Sequence, residues 1–254
     1  TMIKRVIHTA ITLAVLLVSC RQDDLPDSMP TAHEGYVALR FSADIPAMQE
    51  VVTRSVDPDG GGVQDMTLFC FDSYGLFTTT VEAKVTPTGN GAGLTGNFEA
   101  EVPENTRTVH FLANQNMSEF KEDKFRNKSE AEVMALLEGS SGRMIYWARF
   151  TCDPDNDSKI DAQMADKGNT IKMIRNHAQV SIDNPINGWI EVTGFVAYNT
   201  NAFGTVAPYH PEKGFDFEWP GEDDPFVTLP QNDARMSDIT DVTTATKQYI
   251  FESE

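Results

Sequence analysis

The 254-residue chain carries 38 acidic and 20 basic residues, a formal net charge of −18. That balance excludes a nucleic-acid partner, since phosphate backbones are held by clustered Lys and Arg, and it excludes charge-driven docking on anionic lipid head groups. With 40% hydrophobic residues and 15 Phe, the chain can bury a real core and is not globally disordered.

Lys4 and Arg5 precede residues 6–18, which are apolar apart from His8 and two threonines. The run falls short of the roughly 20 apolar residues that a bilayer span needs, so residues 1–19 read as a lipoprotein signal peptide. Their end, Leu17-Val18-Ser19-Cys20, is similar to a bacterial lipobox, in which the cysteine is lipidated and becomes the new N-terminus. Several acyl chains on Cys20 would hold the mature protein on a membrane without spanning it. Residues 20–34 are polar, acidic and proline-containing and read as a tether.

Val37, Leu39, Phe41, Ala43 and Ile45 alternate with Ala38, Arg40, Ser42 and Asp44, the pattern of a half-buried strand. Residues 53–62 break it with Pro58 and consecutive glycines. Residues 66–71 are apolar on both faces and predict a central strand. Alternation resumes at Phe77, Thr79, Val81, Ala83 and Val85, and again at Leu94, Phe98, Ala100 and Val102. With the glycine-rich turn between them, the two predict a hairpin with a long loop. Val109, Phe111 and Ala113 predict another strand.

Ser129 and Glu132 form a capping box, followed by the apolar stripe Val133, Leu136 and Leu137 and a stop at Gly139, so one short helix is expected there. Residues 144–150 return to the strand pattern, and the aspartate-rich loop over 152–169 marks a domain boundary. Beyond it Ile174, Ala178, Val180 and Ile182 alternate, as do Ile190, Val192 and Val196. Residues 203–207, 226–229 and 249–251 are shorter candidates. The expected architecture is mainly β, built of β-sandwich domains with one short helix: an N-terminal domain over 35–168 and a C-terminal domain over 169–254.

The chemical motifs are weak. Gly91-Ala92-Gly93-Leu94-Thr95-Gly96 matches a dinucleotide fingerprint, but that chemistry needs a helix N-terminus after the glycines, and here a strand pattern follows. Asp153, Asp155 and Asp157 have the spacing of a calcium loop, yet Ser158 and Met164 stand where a glycine and a bidentate glutamate belong. A solvated acidic loop is the default there. His33, His110, His177 and His210 show no zinc spacing. No cofactor, metal or catalytic residue is assigned, and the chain is not expected to be an enzyme. An exported protein can pair Cys70 with Cys152, although the apolar run around Cys70 equally suits a small buried hydrophobe.

Taken in order, several segments resemble the fimbrillin family, the lipoprotein-derived subunits of the Bacteroides-type (type V) pilus. They are the lipobox ending at Cys20, the first strand over 37–45, Thr53-Arg54-Ser55 before a glycine-rich linker, and Met66-Thr67-Leu68-Phe69-Cys70-Phe71-Asp72 with Gly75. Val109-His110-Phe111-Leu112-Ala113-Asn114 and Ile174-Arg175-Asn176-His177-Ala178-Gln179-Val180 complete the series. The resemblance implies a lipoprotein of the outer membrane and cell-surface fimbrium, with two β-sandwich domains of Greek-key, transthyretin-like type. It implies a cut by an Arg-specific protease between Arg54 and Ser55. It also implies that residues 35–54 hold a displaceable first strand whose Val37, Leu39, Phe41, Ala43 and Ile45 fill a groove.

Loss of that strand uncovers apolar surface and unpaired backbone groups, and a strand of the next subunit takes its place by β-augmentation. The implied partners are other pilus subunits, the protease and the outer membrane through the lipid on Cys20. The family's second domain carries a C-terminal donor strand. Here the sequence ends at Glu254, soon after Tyr249-Ile250-Phe251, so the second domain is expected to be incomplete and no donor strand is assigned. Two rivals stand outside the family. A surface glycan-binding lipoprotein would stack sugars on Trp147, Trp189 and Trp219, and a secreted hydrolase would need a pocket with convergent carboxylates.

Overall fold

The period-two segments turn their apolar residues inward, and the strands they form stack as two sheets. The computed structural model describes residues 32–44, 63–87, 96–115, 117–118, 120–140 and 144–181. Nearer the C-terminus it describes residues 194–195, 200–201, 203–210, 213–215, 217, 234–235, 240–241 and 247–251. In chain order the elements are β1 (Tyr36–Asp44), β2 (Met66–Phe71), β3 (Phe77–Glu82), β4 (Lys84–Pro87), β5 (Gly96–Pro103) and β6 (Thr108–Ala113). Then follow α1 (Glu130–Met134), β7 (Glu138–Ser140), β8 (Tyr146–Thr151), α2 (Ile160–Asp166), β9 (Thr170–Lys172) and β10 (Ile174–Arg175). Short strand pairs join Ala178–Ser181 to Lys247–Ile250 and Phe203–Thr205 to β7. The fold is mainly β, as the patterning predicts.

One sheet has the order β4-β5-β1-β9 and the other β10-β8-β6-β2-β3. β1 and β5 alternate buried and half-exposed residues along their length, so their inner face packs on the second sheet while the outer face meets water. Val37, Leu39, Phe41 and Ala43 of β1 join Phe98, Ala100 and Val102 of β5 against Met66 and Leu68 of β2 and Val109 and Phe111 of β6. Phe41 stacks on Phe98 at 5.4 Å within its own sheet and meets Phe111 edge-on at 4.9 Å across the interface, a favoured aromatic geometry.

The five-stranded sheet is covered on its outer face too. Phe69, Phe71, Leu112 and Trp147 pack there against Phe125, Val133, Met134, Leu137, Val206 and Ala207. That is why β2 and β6 are buried at every position and why their sequences are apolar without alternation. The 203–205 strand approaches closely: a Cβ on Gly204 would collide with the Phe251 ring, and one on Gly139 with the Asn176 amide.

The structure departs from the sequence reading in three places and decides a question that it left open. The segment over 77–85 is not one strand: β3 pairs with β2, and after Ala83 the chain enters the other sheet, where β4 forms the hairpin with β5. Ala83 N–H donates to Met66 O at 2.9 Å at this corner. Alternation continues through it because strands that switch sheets keep their inward faces inward. The helix predicted from the capping box is α1, but it ends at Met134, and Gly139 lies in β7. A second helix, α2, occupies part of the segment read as loop, burying Ile160 and Met164 one turn apart. The open question was the pairing of Cys70 with Cys152: both are free, buried thiols. Cys70 faces Val109, and Val109 faces Phe150, so β6 separates the two cysteines by two inter-strand spacings, roughly 10 Å, beyond disulfide reach. Burial pushes the Cys70 thiol up to about 12.

Candidate functional site

β1 is the strand on which the functional expectations converge. It pairs antiparallel with β5 from Tyr36↔Pro103 to Ser42↔Asn97. Its other edge pairs with β9 only from Ser42↔Thr170 to Asp44↔Lys172, in parallel register. Along residues 36–39 that edge has no strand partner among the described residues. β1 is thus a full member of the core held by one complete ladder and one short clasp.

Both ends are tied. At the start, Tyr36 N–H donates to His33 O and Glu104 N–H to Gly35 O, each at 3.0 Å. The His33 imidazole pairs with Glu101, a contact that lowers the exposed Glu101 carboxyl. At the far end, Ser42 N–H donates to Asn169 O at 2.8 Å, Ser42 Oγ meets Thr170 Oγ1 at 3.2 Å, and Met173 N–H donates to Asp44 O at 2.8 Å. On the solvent face Arg40 Nε lies 3.1 Å from Glu99 Oε1.

Val37, Leu39, Phe41 and Ala43 are all buried, as their spacing predicts, and Ile45 lies outside the described residues. Full burial of a Val, Leu or Phe side chain stabilises by about 1.5–3 kcal/mol. Withdrawal of β1 therefore costs on the order of 6 kcal/mol in side-chain burial alone, comparable to the whole stability of a domain. It would also strip one edge of β5. Such a groove accepts an extended segment with apolar residues at every second position. Cys20, Arg54 and Ser55 lie outside the described residues.

The outer face of the other sheet holds a polar network that spacing alone does not reveal. His110 on β6 is fully buried. Its Nδ1 accepts from Trp147 Nε1 at 3.1 Å. An indole N–H only donates, so the proton of His110 sits on Nε2, which donates to Glu130 Oε2 at 2.7 Å. Arg149 holds the same carboxylate through Nε at 2.6 Å and Nη2 at 3.2 Å. Burial keeps His110 below its usual range, against the pull of Glu130. Burial would raise Glu130, but the hydrogen bonds and charges of His110 and Arg149 prevail and bring it to about 2. The network pins α1 to β6 and β8; closed in by Phe71 and Phe217 at 5.3 and 4.8 Å, it serves packing. The one sequence signal was a histidine within the apolar run of β6, which needs partners when buried.

The remaining candidates resolve individually. Trp147 is buried and donates to His110, so it offers no sugar-stacking face; Trp189 and Trp219 lie outside the described residues. The aspartate loop is closed on itself: Asp153 Oδ1 accepts from Asp155 N–H at 2.9 Å, and Gln163 accepts from Asp153 N–H at 2.8 Å. Among the described residues no group of three or more His, Cys, Asp or Glu is placed to hold a metal.

No family model matches the chain, and no curated protein matches it. Among solved structures, a fimbrial assembly protein from Parabacteroides distasonis is similar at 14% identity with a TM-score of 0.42, over 86% of this chain and 78% of that one. The tip fimbrial protein Mfa3 from Porphyromonas gingivalis, with a C-terminal truncation, is similar at 14% identity with a TM-score of 0.49, over 86% of this chain and 69% of that one. Both are distant likenesses.

Proposed function

We propose that this chain is a structural or accessory subunit of a cell-surface pilus, supporting adhesion, and that it assembles by proteolysis-triggered strand exchange. The observation that carries the reading is the placement of β1: its apolar face fills the inter-sheet core, yet over residues 36–39 it has β5 as its single strand partner among the described residues. A cut after Arg54 would sever β1 from the rest of the chain. β1 would then be held by non-covalent contacts alone, and a strand from a neighbouring subunit with the same alternation could replace it. The exchange is nearly balanced, because the incoming strand restores the buried side chains and the β5 ladder. Repeated head to tail, it builds a fibre.

Export as a lipoprotein anchored through Cys20 belongs to the same proposal; the division into domains is placed beyond β10 and not at residues 168 and 169, because β9 and β10 complete the two sheets of the first sandwich. An anchoring or accessory subunit would keep its lipid and its own β1. The glycan-binding alternative loses one of its three indoles to the core.

The test is digestion of the full chain with an Arg-specific protease, followed by mass spectrometry and electron microscopy. A cut after Arg54 with release of β1 and growth of fibres is the expected result. A cut that leaves β1 in place and an unchanged monomer under all conditions would refute assembly by exchange.

A further inference from the structure

The five-stranded sheet has two edges, and they end differently. At β3, Glu122 accepts from Thr80 N–H at 2.8 Å and from Thr79 Oγ1 at 2.6 Å. The carboxylate occupies a ladder position that a further strand would need, and these bonds hold it below its usual range. Blocking of this kind keeps sheet edges from pairing. At the opposite edge β10 pairs only with Trp147 and Tyr146 of β8. Cys152 N–H donates at 2.8 Å to Arg107 O, on the β6 side. Alternation along an antiparallel strand therefore turns the backbone groups of Arg149 and Thr151 outward, where they have no strand partner among the described residues.

Beside this open stretch, a cavity of about 250 Å3 lies between β8, α2 and β9. Buried Phe150, Met164 and Ile171 give it an apolar lining, and exposed Lys167 and Lys172 flank it. Lys167 Nζ lies 5.0 Å from the centre of the Phe150 ring. These lysines stand out on a chain of net charge −18.

We propose that the outer edge of β8 at Arg149 and Thr151, with the adjoining lysine-flanked cavity, is a docking site for an extended acidic segment of a partner chain. The outward backbone groups supply ladder hydrogen bonds, the cavity takes an apolar side chain, and Lys167 and Lys172 match the acidic ones. The ladder edge is on the other sheet from β1, while the β9 wall of the cavity is clasped to β1 over Ser42–Asp44, so the site is tested on the intact chain with β1 in place. Lysines at an open edge also serve to keep strands away; that simpler role gives no preference for an acidic strand and separates the two accounts.

The experiment titrates the full chain with a short peptide of alternating valine and glutamate and, separately, with its valine–lysine counterpart. Fluorescence anisotropy reads the affinity, and residue-resolved amide exchange reads the location. The acidic peptide should bind, slow exchange at Arg149 and Thr151, and lose about 10-fold in affinity in the Lys167→Glu/Lys172→Glu variant. Absence of binding, equal binding of both peptides, protection elsewhere, or indifference to the double substitution would overturn the proposal. Protection of those two amides that rises with protein concentration in the absence of peptide would overturn it too, assigning the edge to a second copy.

Discussion

β1 and β6 line the same core from opposite sheets, yet they are held in different ways. β6 lies between β2 and β8, is paired on both sides along its length, and is buried on both faces. β1 has one complete ladder, a short clasp at its far end, and one buried face. Losing β6 would dismantle both hydrophobic clusters; losing β1 opens only the inter-sheet one. The sandwich thus divides into a frame that must stay and a wall that another strand of like pattern can replace.

Substitutions in the two clusters sharpen that contrast most. Phe69→Ala on the outer face of the frame should cost about 3–5 kcal/mol in urea melts, equally in the intact chain and in a chain cut after Arg54. Phe41→Ala should cost a similar amount in the intact chain. In the cut chain its effect should appear instead as about 100-fold or greater weakening of a β1 peptide. If Phe69→Ala weakened the peptide as much, frame and wall would not be separable.

A smaller effect probes how α1 is pinned to the frame. Glu130 titrates near 2 in the folded chain against 4.5 ordinarily, so it binds fewer protons folded than unfolded across that interval. Its stabilisation is complete above pH 4.5 and is lost as pH falls toward 2, a loss on the order of 3 kcal/mol. His110, held neutral by burial, adds a decline that begins below 6.5, where the unfolded chain takes up a proton that the folded chain refuses. Melts across this range should show both losses, and Glu130→Gln should abolish the more acidic one. The smallest effect is at the helix start. Ser129→Ala removes the hydroxyl that accepts from Glu132 N–H at 3.4 Å and donates to Glu132 Oε2 at 2.9 Å in the capping box, and should cost about 1 kcal/mol with no change in β1 exchange.

What the sequence makes legible follows from how local each feature is. β1 and β5 are read from period-two alternation because one face of their sheet is wet. β2 is read as a central strand because both its faces are buried, and α1 is read from a cap only four residues across. The β3–β4 corner is invisible because alternation does not say which sheet a strand belongs to. The helix α2 is hidden because its single apolar pair, Ile160 and Met164, is too short a period to stand out. The Glu130 network joins residues 19 and 20 positions away, and partners so distant leave no trace in spacing. The unequal edges of the five-stranded sheet depend on Glu122 reaching β3 from more than 40 residues along the chain, which no local pattern encodes.

The most direct test of the exchangeable wall is strand replacement. The chain cut after Arg54 is incubated with an excess of fluorescent peptide spanning residues 35–45, and incorporation is followed alongside the circular dichroism of the remainder. The account predicts that labelled peptide displaces β1 in the cut chain, with the frame still folded, while the uncut chain takes up none. A peptide carrying Leu39→Asp and Phe41→Asp should fail. Cooperative unfolding of the cut chain, or a β1 that never exchanges, would contradict the account.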